Sequence, residues 1–279
     1  MPNDAESLSR QPAATMLPRH RALFLRAALL AASCSVAGSA AAAPASTASA
    51  ASASTDAVFR PTFTTPQGPL IAGTAFVGRL ERCEEPVLLT AMHLFGPGGG
   101  LKEPMSPDDV KHGVTQAELT GFGRNAKHML FEVDSLTPEY AKACCEGERM
   151  AGVGDVAAFT APARLAPIAL PMSPDIAAPG QRVTLLASLI GGQDAGLRHD
   201  AVVLGMHDGF LLYKFDDPNI QLRATSGAPI VDAAGRVVAI NLSSGHLSKD
   251  DPAAMIGGGN PVAAWRGAVE AACRPPTQK

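Results

Sequence analysis

From Val58 onward the chain alternates short apolar runs with turn residues. The runs are GTAFVG at 73–78, PVLLTA at 86–91, LFEV at 130–133, VTLLASLI at 183–190, AVVLG at 201–205, FLLYKF at 210–215, APIV at 228–231 and VVAINL at 237–242. Runs this short, bounded by Gly, Pro and Asp, predict β-strands. The DAAG at 232–235 reads as a hairpin turn with Gly235 at a positive-φ position. Only residues 261–273 (PVAAWRGAVEAAC) read clearly as a helix, with Val262, Trp265, Val269 and Cys273 at helical spacing and Pro261 at the first turn. The GGG triplets at 98–100 and 257–259 are expected to be mobile loop tips. A proline-rich stretch at 162–179 divides the strands into two groups and is expected to connect two β domains.

The N-terminus has a different pattern. Residues 23–32 (LFLRAALLAA) follow Arg19, His20 and Arg21, the layout of a secretory signal. The run is too short to span a bilayer, which takes about 20 residues. Met16 is an alternative start. Between 35 and 55, 16 of 21 residues are Ala or Ser, too little bulky apolar surface to offset the entropy of ordering, so a flexible tether is expected. Cleavage could fall at 40–43. Alternatively, Cys34 after Ala31, Ala32 and Ser33 weakly resembles a lipoprotein acceptor, and a membrane attachment is expected only if Cys34 is lipidated. The protein is therefore expected to be exported, to the periplasm or beyond the cell.

Composition narrows the function classes. The 279 residues are 46% hydrophobic, with a formal charge of -3, so no basic excess exists to neutralise a phosphate backbone and nucleic acid is not expected as a partner. Residues 1–56 contain four basic and three acidic residues, and the rest is mildly acidic. It keeps Cys83, Cys144, Cys145 and Cys273, an even number in an oxidising compartment, which favours up to two disulfides among three connectivities. Neither a CxxC nor a Cys/His cluster is present, and no metal or organic cofactor is expected. His199 with Asp200 and His207 with Asp208 read as polar turn residues flanking a strand; His112, His128 and His246 are read the same way.

Three segments carry candidate chemistry. His93 ends VLLTAMH, Asp155 lies in the otherwise apolar GVGDVAAF, and Ser226 lies in the small-residue turn RATSGAP. A serine hydroxyl is a weak nucleophile until an imidazole takes its proton, and the imidazole needs a carboxylate to fix its tautomer. The chain offers these groups in the order His, Asp, Ser, with Asp134 as the next carboxylate.

LTAMH at 89–93, DVA at 155–157, SGAP at 226–229 followed by GRVVAI at 235–240, and GTAFV at 73–77 together resemble the chymotrypsin/trypsin-like serine peptidases, in particular their divergent bacterial branch. The resemblance covers nearly all of 58–273. It implies an all-β fold of two antiparallel Greek-key β-barrels with a C-terminal helix, a first barrel over 57–165 and a second over 166–279, after the signal and tether at 1–56. It implies a serine endopeptidase acting on protein or peptide substrates, with Ser226 as nucleophile, His93 as general base and acid, and Asp155 orienting His93. The N–H groups of Ala224 and Ser226 would form the oxyanion hole. Ser243, Ser244 and Gly245 would lie on an edge strand that pairs with substrate backbone. Ile220 would floor the first specificity pocket, which favours a small or medium apolar residue before the scissile bond.

Two departures stand out. Ala224 occupies a position where the family usually has Gly, and its Cβ is expected to obstruct the turn that aims the oxyanion-hole N–H. A protein of this fold that binds peptides or partners with little turnover is the alternative. No IVGG-type activated N-terminus is evident, and oligomeric state is not legible.

Overall fold

The computed structural model describes residues 54–122, 128–143, 154–190, 196–248 and 251–273, with the backbone alone at 246–248 and 251–253. The expected signal segment, Cys34, nearly all of the tether, Cys144 and Cys145 lie outside the described residues. The chain enters the fold at Ser54, whose hydroxyl accepts from the Asp56 N–H at 3.2 Å and caps a short turn at Thr55–Ala57.

The first half of the chain forms an eight-stranded sheet. Its strands are β1 (Val58–Thr65), β2 (Gly68–Ile71), β3 (Ala75–Arg79), β4 (Val87–Thr90), β5 (Gln116–Gly121), β6 (His128–Glu132), β7 (Ala157–Thr160) and β8 (Leu170–Pro171). The order is β6-β5-β1-β3-β4-β7, with β2 on β1 and β8 on β3. Ser135, just after β6, bridges to Phe159 of β7, so the two ends of the sheet approach each other. Phe63, Phe95 and Phe159 fill its centre, with ring centroids 5.1 to 5.7 Å apart.

The second half closes into a six-stranded barrel, β10-β11-β14-β13-β12-β9. These strands are β9 (Arg182–Leu186), β10 (Arg198–His207), β11 (Phe210–Phe215), β12 (Pro229–Asp232), β13 (Val237–Ser248) and β14 (Asp251–Pro261). Alternation along β11 sends Leu211, Tyr213 and Phe215 into a core shared with Leu185, Ile220 and Ile230. The architecture is thus the all-β, trypsin-like two-barrel fold that the motifs imply.

Helix α1 (Pro107–Gly113) was not anticipated. Its signal was present: Ser106 and Asp109 form a capping box, Asp109 N–H to Ser106 Oγ at 3.1 Å and Ser106 N–H to Asp109 Oδ2 at 2.9 Å, with Pro107 in the first turn. Helix α2 (Val262–Ala272) agrees with the expected segment and buries Val262, Trp265 and Val269. Trp265 is completely buried in a third core cluster that includes Phe76 and Leu89 of the sheet with Val237 and Ile240 of the barrel. Among the described residues, Cys83 and Cys273 form a disulfide that ties the turn before β4 to the end of α2. Among the described residues, no helix is long and apolar enough to cross a membrane.

Two expectations need correction, at 257–259 and at His199 and Asp200, and two are refined. The glycines at 257–259 are not a loop tip but lie within β14, where a Cβ on Gly257 would enter the Tyr213 ring. Gly98 and Gly99 lie in a turn at Pro97–Gly99, where a Cβ on Gly99 would strike the Leu94 carbonyl. The 162–179 stretch is more than a connector, because β8 pairs with β3 and Met172 bridges to Val237. His199 and Asp200 lie inside β10, the His199 ring bonded to the Ala187 carbonyl at 3.0 Å and Asp200 accepting from Thr184 Oγ1 at 2.7 Å. By contrast, Asp208 (φ 47°) and Gly209 (φ 82°) form the β10–β11 turn as read.

Candidate active site

β4 and β7 run antiparallel, with Thr90 opposite Ala157. The end of β4 therefore meets the start of β7. His93 lies in the turn Met92–Leu94 that follows β4, and Asp155 lies two residues before β7. The pairing brings them into contact. Asp155 Oδ2 is 2.7 Å from His93 Nδ1, and Asp155 Oδ1 accepts the His93 backbone N–H at 2.9 Å. Asp155 is completely buried, while 15% of the His93 side chain is exposed. A buried carboxylate on Nδ1 favours the tautomer with its proton there, leaving Nε2 as a base. Asn260 Nδ2 donates to the Asp155 carbonyl at 3.3 Å from the end of β14.

Ser226 lies in the turn that precedes β12. The Thr74 N–H donates to its carbonyl at 2.8 Å, and Thr74 Oγ1 donates to the Ala224 carbonyl at 2.9 Å. Thr90 Oγ1 in turn donates to the Thr74 carbonyl at 2.8 Å. Gly227, at φ 87°, lies so close that a Cβ there would meet Thr74 O and Thr90 Oγ1. These contacts seat the serine turn against the end of β4, the strand that runs into the turn carrying His93. Gly73, at φ 66°, is required for the same reason, since a Cβ would lie 2.7 Å from the Ser226 carbonyl.

The Ser226 hydroxyl donates to the Leu242 carbonyl at 3.1 Å and not to His93. That carbonyl is available because Leu242 is the extra residue of a bulge: Asn241 pairs with Gly259, and Ser243 already with Gly258. Among the described residues, the N–H groups of Ala224 and Ser226 have no hydrogen-bond partner. Ala224 adopts φ 62°. Alanine is thus held in the left-handed conformation, at an energetic cost that glycine would not incur.

The remaining candidates are placed as follows. Ser243 and Gly245 are half-buried and Ser244 is exposed. β14 pairs with this part of β13, whereas β12 pairs with β13 only up to Ile240, so among the described residues no strand covers the other side of 243–245. Ile220 is buried in the barrel core, in the same cluster as Tyr213. Asp134 is not at His93; its N–H donates to Thr160 Oγ1 and its carbonyl accepts from the Thr160 N–H, both at 2.9 Å. No group of three or more metal-ligating side chains occurs among the described residues. Sequence reasoning missed Thr74, Leu242, Tyr213 and Asn241. A buried asparagine inside the apolar run VVAINL was the available signal for the last.

No protein-family model matches the sequence and a search of curated proteins gave no match. Solved structures are similar in fold. A thermostable serine protease from an extremophilic microorganism is 13% identical with a TM-score of 0.51, the match covering 78% of this chain and 97% of that one. A serine endoprotease from Yersinia pestis is 15% identical, TM-score 0.48, over 79% of this chain and 64% of that chain. A human pathogenic astrovirus serine protease is 18% identical, TM-score 0.42, over 75% and 90%.

Proposed function

We propose, from a fold shared with serine proteases, that the chain is an exported serine endopeptidase working through His93, Asp155 and Ser226. The observation that carries this reading is the two-point grip of buried Asp155 on His93. For reaction, the Ser226 hydroxyl turns from Leu242 toward His93 Nε2. Its oxygen attacks the scissile carbonyl while Nε2 takes the proton, and the charge that develops on the carbonyl oxygen faces the N–H groups of Ala224 and Ser226. Collapse expels the amine, which takes the proton from Nε2, and water then hydrolyses the acyl-enzyme by the same relay. The open side of β13 at 243–245 supports pairing with an extended peptide. The Cys83–Cys273 disulfide supports an oxidising compartment.

A second reading, a peptide- or partner-binding module with little turnover, is favoured by one observation, the bond of the Ser226 hydroxyl to Leu242 rather than His93. Stopped-flow kinetics with an activated p-nitrophenyl ester separates the two. The peptidase reading expects a nitrophenol burst equal to the enzyme concentration, absent in Ser226→Ala. The binding reading expects no burst in either protein.

A further inference from the structure

A buried polar network lies inside the second barrel, centred on Asn241. Asn241 is 1% exposed, and every polar group it carries is bonded. Its Nδ2 donates to Thr225 O at 3.1 Å and to Thr225 Oγ1 at 3.0 Å. Its N–H donates to Ala228 O and its carbonyl accepts from the Gly227 N–H, both at 2.8 Å. Its Oδ1 accepts from the hydroxyl of Tyr213, a fully buried ring whose tip lies against Gly257. One residue, its side chain on Thr225 and its main chain on Gly227 and Ala228, thus holds both sides of Ser226.

The bond to Thr225 O has a geometric consequence. Thr225 C=O and Ser226 N–H belong to one planar trans peptide, so fixing the carbonyl fixes the opposite direction of the N–H. We infer that Asn241, braced by Tyr213, is a positioning residue that aims the Ser226 N–H at the oxygen of the reacting carbonyl. The inference rests on the peptidase reading above. Tyr213 keeps its proton, because burial pushes its pKa up, and the donor direction follows: Tyr213 gives to Oδ1, which forces Nδ2 toward Thr225. A mere packing role would need neither polarity nor this direction.

Two variants test it. Tyr213→Phe removes only the brace, and Asn241→Asp keeps the acceptor for Tyr213 while replacing the donor to Thr225 by an acceptor. On a p-nitrophenyl ester, Tyr213→Phe is expected to lower kcat about tenfold with KM unchanged, the loss of one hydrogen bond's effect on the transition state. Asn241→Asp is expected to lose more. Amide exchange at Gly227 is read in parallel, and its protection is expected to fall in Tyr213→Phe while protection in β1 and β5 stays. Wild-type kcat with wild-type Gly227 protection in Tyr213→Phe would overturn the inference. If the wild-type protein shows no turnover, the peptidase reading falls, and the exchange at Gly227 still decides whether Tyr213 and Asn241 hold the turn.

Discussion

Asp155 holds His93 at two points, one carboxylate oxygen on Nδ1 at 2.7 Å and the other on the backbone N–H at 2.9 Å. The first contact sets the tautomer. The second ties the histidine's backbone to the same buried group, so ring and main chain share one anchor. The antiparallel pairing of β4 with β7 delivers both residues to one end of the sheet.

Replacing Asp155 by Asn keeps the size of the side chain but puts an N–H where an acceptor is needed. If the amide turns its oxygen to one contact, the other is lost. Asp155→Asn is expected to fold and to lose about four orders of magnitude in kcat, through the wrong tautomer of His93. Steady-state kinetics with circular dichroism on the same sample checks both halves. Full activity would move the orienting role to another group.

Two small residues beside Ser226 are expected to respond oppositely. Ala224 holds φ 62°, a conformation costing a non-glycine residue about 1 kcal/mol, so Ala224→Gly is expected to raise stability by up to about that amount, less the entropy of the freer unfolded chain. Turnover is expected to stay equal or rise. Gly227→Ala combines a positive φ with contact on the Thr74 carbonyl and is expected to cost several kcal/mol, roughly 3 or more. Urea unfolding of the two variants tests the pair, and destabilisation by Ala224→Gly would contradict the strain.

The Cys83–Cys273 bond closes a loop with a sequence separation of 190, for which chain entropy alone gives on the order of 5 kcal/mol. Cys83→Ser is expected to lower stability by about 2 to 5 kcal/mol. Reduced wild-type protein should unfold at nearly the same denaturant concentration as the variant. A midpoint identical to that of the oxidised protein would mean that the bridge contributes nothing.

Specificity is expected to exclude charge. Ile220 is buried in the same core cluster as Tyr213, and the nearby Asp216 is turned to Arg182, with Nη1 to Oδ1 at 2.8 Å, which also holds the Asp216 carboxyl below its usual pKa. A pocket floored there and walled by Ser243 and Gly245, as proposed, would offer no buried counter-charge from these residues, so a charged side chain would enter at a cost. A peptide-library cleavage profile is expected to favour small or medium apolar residues before the scissile bond. Enrichment of Lys, Arg or Glu would sink the pocket assignment and leave His93, Asp155 and Ser226 untouched.

What could be read from the chain was local. The strand before His93, the serine turn with its glycine, and helix α2 each announce themselves within a dozen residues, because burial periodicity and turn chemistry act at that range. Tertiary demands were not legible. The glycines at 257–259 resemble a flexible tip until Tyr213 is known to lie against them. Nothing in the spacing of four cysteines selects Cys83 with Cys273. Asn241 reads as one polar residue in an apolar strand, and its role emerges only when Tyr213, 28 positions away, supplies the donor.

The central claim is that Ser226 is a nucleophile activated by His93. Reaction with a fluorophosphonate probe, followed by mass mapping of the labelled peptide, tests it most directly, since labelling needs nucleophile, base and oxyanion donors together. The account predicts stoichiometric labelling at Ser226, abolished in Ser226→Ala and reduced by orders of magnitude in His93→Ala. No labelling of the folded wild-type protein, or labelling that survives His93→Ala undiminished, would contradict it.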